Sequence, residues 1–235
     1  MNVFILTGAG VSAESGLGTF RDTADGMWAR FDPMKLATPE AFAADPDLVH
    51  AFYDARRRNL LESAPNAAHA ALARLEQELT RRGARLDLVT QNIDDLHERG
   101  GSGRVVHMHG ELLKARCAHC GARAERREDL STQDRCAACA QTGGMRPHVV
   151  WFGEAPLHLE EIYAALAKAD LFVAIGTSGA VYPAAQFVAE ARRRGARTCE
   201  INLEPADNAQ IFDERRYGKA SLAVPAFVEE ILARL

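Results

Sequence analysis

The chain has 235 residues, with 28 Lys and Arg against 32 Asp and Glu for a net charge of −4, and 47% of its residues are hydrophobic. A chain this long withdraws roughly 70–75% of its unfolded surface from water, enough for a core without covalent staples. That composition excludes whole-chain disorder, collagen and coiled coil, no apolar run approaches the ~18 residues of a membrane span, and the mild acidity argues against direct nucleic-acid binding.

The chain opens on Met1-Asn2-Val3-Phe4-Ile5-Leu6, which runs straight into Thr7-Gly8-Ala9-Gly10 with no basic stretch before it and no small-residue cleavage site after it. It reads as a strand and not as an export signal. Residues 21–65 hold helical pieces punctuated by Pro33, Pro39 and Pro46. Ala67–Arg81 reads as a helix, because Ala68, Ala71, Leu72, Leu75 and Leu79 recur at spacings of three and four and make one apolar face. Short apolar runs at Val3–Leu6, Leu86–Val89, Val105-Val106, Leu171–Ile175 and Thr198–Ile201 read as buried strands. Leu159–Lys168, Pro183–Arg194 and Pro225–Leu235 read as further helices. Alternating strand and helix predicts an α/β fold with an open, mostly parallel sheet. Two stretches interrupt the alternation, 21–65 and 112–148. They are expected to be insertions that together form a smaller domain, leaving 1–20, 66–111 and 149–235 for the sheet. With Met1 on the first strand and Leu235 on the last helix, no added targeting or regulatory segment is expected, and the chain is expected to be cytoplasmic.

Five cysteines narrow the reading. Cys117-x2-Cys120 and Cys136-x2-Cys139 are separated by 15 residues, and Cys199 stands alone. In a chain without an export signal such pairs point to zinc and not to disulfides. Four thiolates fill a tetrahedral site and leave no open position, so the metal would be structural. The segment around them is poor in large apolar residues and could not fill a core of its own, which is where a metal contributes folding energy. Cys199, on a strand, reads as a small buried hydrophobe. The basic runs Arg81-Arg82 and Arg192–Arg194 read as solvated helix C-termini, where cations complement the dipole.

Polar or glycine clusters follow nearly every strand: Thr7-Gly8-Ala9-Gly10-Val11-Ser12-Ala13, Thr90-Gln91-Asn92-Ile93-Asp94-Asp95, His107-Met108-His109-Gly110, Gly176-Thr177-Ser178 and Asn202-Leu203-Glu204. Ligands of open α/β sheets bind outside the C-terminal strand ends, so these clusters should converge on one crevice. Gly8 to Ala13 fits G-x-G-x-x-[G/A], whose glycines permit a tight turn and close approach of backbone N–H groups to a pyrophosphate at a helix N-terminus. The plainer alternative is a glycine turn that only closes a corner. No G-x4-G-K-[ST] occurs, and the acidic residue usual about 20 positions downstream is not evident, which weakens an ordinary dehydrogenase. Histidine is the side chain best suited to take a proton near neutral pH. Strand alternation puts His107 and His109 on one face and does not choose between them; position nearer the strand end favours His109.

Gly8-Ala9-Gly10-Val11-Ser12, Gly18-Thr19-Phe20-Arg21, Thr90-Gln91-Asn92-Ile93-Asp94, His109-Gly110, the four cysteines, Phe152-Gly153-Glu154, Gly176-Thr177-Ser178 and Asn202-Leu203-Glu204 occur in that order and resemble a sirtuin along nearly the whole chain. The resemblance implies an NAD-dependent protein lysine deacylase with a Rossmann-type domain and a small domain of helices and one structural zinc. It implies that Gly8, Ala9, Gly10 and Ser12 hold the dinucleotide phosphates and that Phe20, Arg21 and Asp22 belong to a cofactor loop. Gln91 and Asn92 would meet the nicotinamide ribose, and Ile93 and Asp94 the carboxamide. Gly176, Thr177, Ser178, Asn202, Leu203 and Glu204 would line the adenosine half, with Ala220 beside the adenine. Val150, Trp151, Phe152 and Gly153 would pair with an acyl-lysine peptide and wall its tunnel. His109 and Asn92 are the catalytic pair so implied. The resemblance further implies that the acyl oxygen attacks C1′ of the ribose as nicotinamide leaves, that His109 as general base lets the 2′-oxygen attack the O-alkylamidate so formed, and that water then releases free lysine and 2′-O-acyl-ADP-ribose, so NAD is consumed and no hydride moves.

Phe52-Tyr53-Asp54-Ala55-Arg56-Arg57-Arg58 resembles the Tyr-x-x-Arg of the sirtuin branch that accepts succinyl and malonyl lysine, class III. A guanidinium grips a carboxylate bidentately, and a phenol can add a hydrogen bond. Tyr53 and Arg56 share a helix face at i,i+3, but Arg57 at i+4 lies on nearly the same face; only the family pattern selects Arg56. Acetyl-lysine is expected to be accepted too, and a monomer is expected. Competing readings are an NAD sensor with a zinc-ribbon interaction module and no catalysis, an ADP-ribosyltransferase, and a hydride-transferring dehydrogenase.

Overall fold

The computed structural model describes residues 1–18 and 36–234. Phe20, Arg21 and Asp22 lie outside them. Six strands form one parallel sheet: β1 (Asn2–Thr7), β2 (Arg85–Thr90), β3 (Val105–His107), β7 (Leu171–Ile175), β8 (Arg197–Asn202) and β9 (Glu214–Tyr217), in the order β3-β2-β1-β7-β8-β9. Counted within the sheet, this is the 3-2-1-4-5-6 order of the Rossmann fold, with its switch point between β1 and β7. Alternate residues of the central strands serve two cores. Val3 and Ile5 of β1 pack under helices α3 (Ala67–Arg81) and α7 (Ala220–Ala233), together with Leu72, Leu75, Val173 and Val228. Phe4 and Leu6 face the opposite layer, helices α5 (Leu159–Leu166) and α6 (Phe187–Arg193), with Ile162, Phe172 and Phe187. A strand covered on both sides reads as a continuous apolar run.

The second layer system is smaller. Helices α1 (Pro39–Ala44) and α2 (Pro46–Glu62) lie against an antiparallel sheet of β4 (Gly110–Cys117), β5 (Arg123–Glu125) and β6 (Met145–Val149), in the order β5-β4-β6. Leu36, Val49, Phe52, Tyr53, Leu60, Leu112, Val149 and Trp151 form its core. Strands β4 and β6 cross positions 111/112 and 148/149, where the sequence alone suggested boundaries, so the sheet grows directly out of the main body.

Several elements depart from the sequence reading. The glycine loop leads into two 3-10 turns, Ala9–Val11 and Ala13–Ser15, and not into the start of an α-helix. The Pro183–Arg194 stretch divides into a 3-10 turn at Ala184–Gln186 and α6, and the helix expected from Leu159 to Lys168 stops at Leu166. The last helix begins at Ala220, five residues before Pro225, which sits inside it. Its first turn is held from outside: the Glu14 carboxylate accepts from the backbone N–H and the hydroxyl of Ser221. Strands β4, β5, β6 and β9 were not anticipated, and α4 (Leu96–Arg99) is a single turn.

Candidate active site

The loops after β1 and β7 touch at the switch point. The Gly8 N–H donates to the carbonyl of Ile175 at 2.9 Å, and the Gly10 N–H to that of Gly176 at 3.0 Å. A Cβ at Gly8 would lie 2.7 Å from the Gly176 oxygen, and one at Gly10 2.7 Å from its Cα. Gly176 itself has φ +62°, and a Cβ there would lie 2.5 Å from the Val11 nitrogen. These three glycines are therefore required by a close approach of two backbones, in addition to whatever they admit outside. Thr177 follows, its carbonyl accepting from Asn202 Nδ2 at 2.7 Å; this joins the loops after β7 and β8. Ser178 accepts the Asp207 N–H at its carbonyl, Leu203 and Glu204 are exposed, and Ala220 starts α7.

The segment after β2 is bound into a buried polar network. Thr7 Oγ1 donates to Thr90 Oγ1 at 2.8 Å, and Thr90 Oγ1 accepts the Asn92 N–H at 3.0 Å. Asn92 Nδ2 donates to Ser12 Oγ at 3.2 Å, and Ser12 Oγ donates to Asp94 Oδ2 at 3.0 Å. The other Asp94 oxygen accepts the Leu96 N–H. Burial raises the Asp94 pKa, although the Leu96 and Ser12 hydrogen bonds oppose this. Ile93 joins the small core, and its carbonyl accepts the Leu112 N–H. His109 Nδ1 lies 3.0 Å from the carbonyl oxygen of Gln91. A carbonyl only accepts, so Nδ1 carries a proton, and in the neutral ring Nε2 then keeps its lone pair. Burial lowers the pKa of His109, and the Gln91 carbonyl offsets this only in part. The ring is therefore neutral near pH 7, as a general base must be.

On α2 the structure separates the two arginines that spacing could not. Arg57 is fully buried, paired with Asp54 and donating to the carbonyl of Leu112. Arg56 is half-buried, its guanidinium carbon 5.9 Å from the Tyr53 ring centre and 5.6 Å from that of Phe52. The Tyr53 hydroxyl accepts from Trp151 Nε1 at 2.9 Å, and burial pushes its pKa up. The Val150 N–H donates to the carbonyl of His109, and that of Phe152 to Ala37. Phe152 is exposed and Gly153 has φ +88°.

The four cysteine sulfurs lie within 4.8 Å of one another. Cys117 to Cys139 and Cys120 to Cys136 are each 3.7 Å, close to the roughly 3.8 Å edge of a tetrahedron with Zn–S distances of about 2.3 Å. Both knuckles use one backbone scheme. The N–H of Cys117 donates to Ala122 and that of Gly121 returns to Cys117, and the N–H of Cys136 donates to Gln141 while that of Ala140 returns to Cys136. The backbone N–H groups of Cys139 and Ala138 bring the Cys136 thiol down to about 6. The donor set and spacing fit zinc.

The Sir2 family model matches residues 8–183. The chain belongs to the Sir2 family. It is 62% identical to an NAD-dependent protein deacylase of Caulobacter vibrioides over 235 residues, covering 100% of this chain and 98% of the relative. It is 57% identical to one from Vibrio parahaemolyticus, over 99% and 95%. A solved Sir2 homologue in complex with NAD superposes with a TM-score of 0.89 at 39% identity, covering 99% of this chain and 90% of that one.

Some residues of this Sir2 site were not singled out from the sequence. His69 Nε2 lies 3.4 Å from Ser12 Oγ, while its Nδ1 accepts the Asn66 N–H; burial lowers its pKa to about 4. Asn66 and His69 cap α3 reciprocally, but His stands where the capping-box pattern has Glu or Gln, so the spacing alone does not mark it. Arg146 binds both oxygens of Glu154 at 2.6 and 2.9 Å, and its guanidinium lies 3.3 Å over the Trp151 ring. That clamp fixes the 149–154 segment, and nothing local in the sequence announces it. Cys199 is buried, its thiol pushed up to about 12 by desolvation.

Proposed function

We propose that the chain is an NAD-dependent protein lysine deacylase that removes succinyl and malonyl groups and also acetyl groups. NAD supplies, when bound, an electrophilic ribose carbon from which nicotinamide departs and a hydroxyl that takes up the acyl group. The observation that carries the reading is His109, held neutral with Nε2 unprotonated beside the Asn92–Ser12–Asp94 network. His109 Nε2 would take the proton of the ribose hydroxyl, and Asn92 with Gln91 would hold the ribose. Ile93 and Asp94 would receive the carboxamide, Gly8, Ala9, Gly10 and Ser12 the phosphates, and the loops of Gly176–Ser178 and Asn202–Glu204 with Ala220 the adenosine. Phe20, Arg21 and Asp22 complete the cofactor loop in this reading.

An extended peptide would pair with the 150–153 segment and bring its acyl-lysine to the Arg56 and Tyr53 end of α2. There Arg56 would bind a succinyl or malonyl carboxylate and Tyr53 would add its hydroxyl. Arg57 is spent on Asp54 and Leu112, which supports the choice of Arg56. Zinc on Cys117, Cys120, Cys136 and Cys139 would be structural, because thiolates occupy all four positions. The organisation that goes with this reading is a sheet domain of 1–20, 66–111 and 149–235 and a small domain of 21–65 and 112–148. The chain would act as a cytoplasmic monomer without contacting nucleic acid, in keeping with its net charge of −4; among the described residues no helix is long and apolar enough to cross a membrane.

The test is turnover of an acyl-lysine peptide with NAD, following nicotinamide and acyl-ADP-ribose together. His109→Ala should lower kcat by about 10²–10⁴ while zinc content stays at one per chain. Normal turnover by that variant would contradict the general-base role. NADH absorbance would point to a dehydrogenase, and label transfer to protein without acyl-lysine to an ADP-ribosyltransferase.

A further inference from the structure

His107 and His109 contact consecutive carbonyls of the segment after β2, those of Asn92 and Gln91, at 3.4 and 3.0 Å from their Nδ1 atoms. They differ at the second ring nitrogen. His107 Nε2 lies 2.7 Å from Glu98 Oε1 on α4. A carbonyl and a carboxylate both only accept, so His107 satisfies both contacts only as an imidazolium. A neutral ring would set a nitrogen lone pair against an oxygen at one of the two sites. His107 is 6% exposed, which leaves little water to relieve such a mismatch.

We propose that the His107 imidazolium, paired with Glu98, is a positioning residue for deacylation that acts through Asn92. It pins the Asn92 carbonyl and so fixes the backbone from which the Asn92 amide reaches Ser12. The role rests on the deacylase reading. His107 at the end of β3 and His109 in the turn after it then hold opposite protonation states, His109 neutral as base and His107 charged as clamp, because their surroundings differ. Burial opposes the charge on His107, but the Glu98 carboxylate, Glu111 and the Asn92 carbonyl outweigh it and raise its pKa. Asp94 feels the same charge favourably, His97 in α4 feels it unfavourably, and Lys114 acts on Glu98. Loss of the His107 proton at alkaline pH should release the clamp and lower kcat, leaving peptide KM nearly constant.

Two measurements test this on the full zinc-loaded chain. In 15N-histidine NMR at pH 7.5, with His107→Gln used for assignment, His107 should show both ring nitrogens protonated and His109 only one; a neutral His107 ring overturns the proposal. Glu98→Gln removes the carboxylate from a partly exposed position. Its kcat with an acetyl-lysine peptide should fall on the alkaline side at a pH about one unit lower than in the unmodified chain. Peptide KM should stay within twofold and the acid limb should stay in place. A profile of unchanged shape, at full activity or scaled down uniformly, overturns the positioning role. Absence of nicotinamide release by the unmodified chain at every pH would overturn the deacylase reading and with it the role given to Asn92, a failure distinct from a neutral His107 ring.

Discussion

Val3, Ile5, Leu72, Leu75, Val173 and Val228 bury nearly all of their side chains against one another under the parallel sheet, whereas between Cys117 and Met145 Leu130 is the one large apolar side chain that is buried. The cysteine module is held instead by polar ties. The Leu130 N–H donates to Asp54, Arg126 pairs with Asp134, and Arg58 pairs with Asp129. Exposed ion pairs contribute about 0–1 kcal/mol each, too little to replace a core, so the thiolate cluster must carry the order of that module. One region is made rigid by apolar burial and presents the strand-end loops; the other depends on a metal and is tied through Asp54 and Arg58 to α2, which carries Tyr53 and Arg56.

Breaking the metal site should have the largest effect. Cys136→Ser should lose zinc and the order of residues 117–144, because structural zinc supplies on the order of 10 kcal/mol or more of folding energy in small modules. The six-stranded sheet should keep its far-ultraviolet signal and melt later, by itself. A single, unshifted transition in the zinc-free variant would mean that the module has a core after all. Leu72→Ala attacks the other region. It should cost about 2–5 kcal/mol, lowering Tm for the whole chain with zinc retained up to the transition. Early zinc release in that variant would contradict the division.

What could be read in advance follows the same division. β7 and α3 have the bounds the sequence suggested, Leu171–Ile175 and Ala67–Arg81, because continuous apolar burial and a 3.6-residue apolar stripe are local signals. β9 is Glu214-Arg215-Arg216-Tyr217, an edge strand without an apolar pattern. It is held by register to β8 and by Arg216 on Glu230 and over the Phe227 ring, contacts that local sequence does not carry. The start of α7 was missed for a related reason: Ser221 is capped by Glu14, 207 residues away, and Pro225 resembles a first-turn proline. At the site, residue identities marked the crevice, but the burial of Arg57 and the Glu98 partner of His107 emerged only with the packing.

Acid should sharpen the contrast. His69 in α3 and His148 in β6 are each held by burial at about 4, against roughly 6.5 unfolded. Between those values the unfolded chain binds protons that the folded chain refuses, so stability falls as pH drops from about 6.5 toward 4, by up to ~1.4 kcal/mol per pH unit for each group. Zinc thiolates are lost to protons in the same direction, so the cysteine module should fail first in a pH titration followed by zinc release and circular dichroism. Simultaneous failure of both regions would contradict this. The smallest effect concerns Ala140, at φ +60° in the second knuckle, where the first has Gly121 at +74°. Ala140→Gly should stabilise the module by up to ~1 kcal/mol by removing the left-handed penalty, read as a higher temperature of zinc release; a lower one would mean that the Ala140 methyl contributes packing.

The most direct test of the central claim, that the sheet region supplies the chemistry and α2 of the small region the acyl preference, is the ratio of kcat/KM for succinyl-lysine and acetyl-lysine forms of one peptide, in the unmodified chain and in Arg56→Met. Loss of a charge-assisted hydrogen bond of about 1.5–3 kcal/mol should lower the ratio by roughly 10- to 100-fold, with kcat/KM for the acetyl peptide changed only a few-fold. Equal loss on both peptides, or an unchanged ratio, would contradict it.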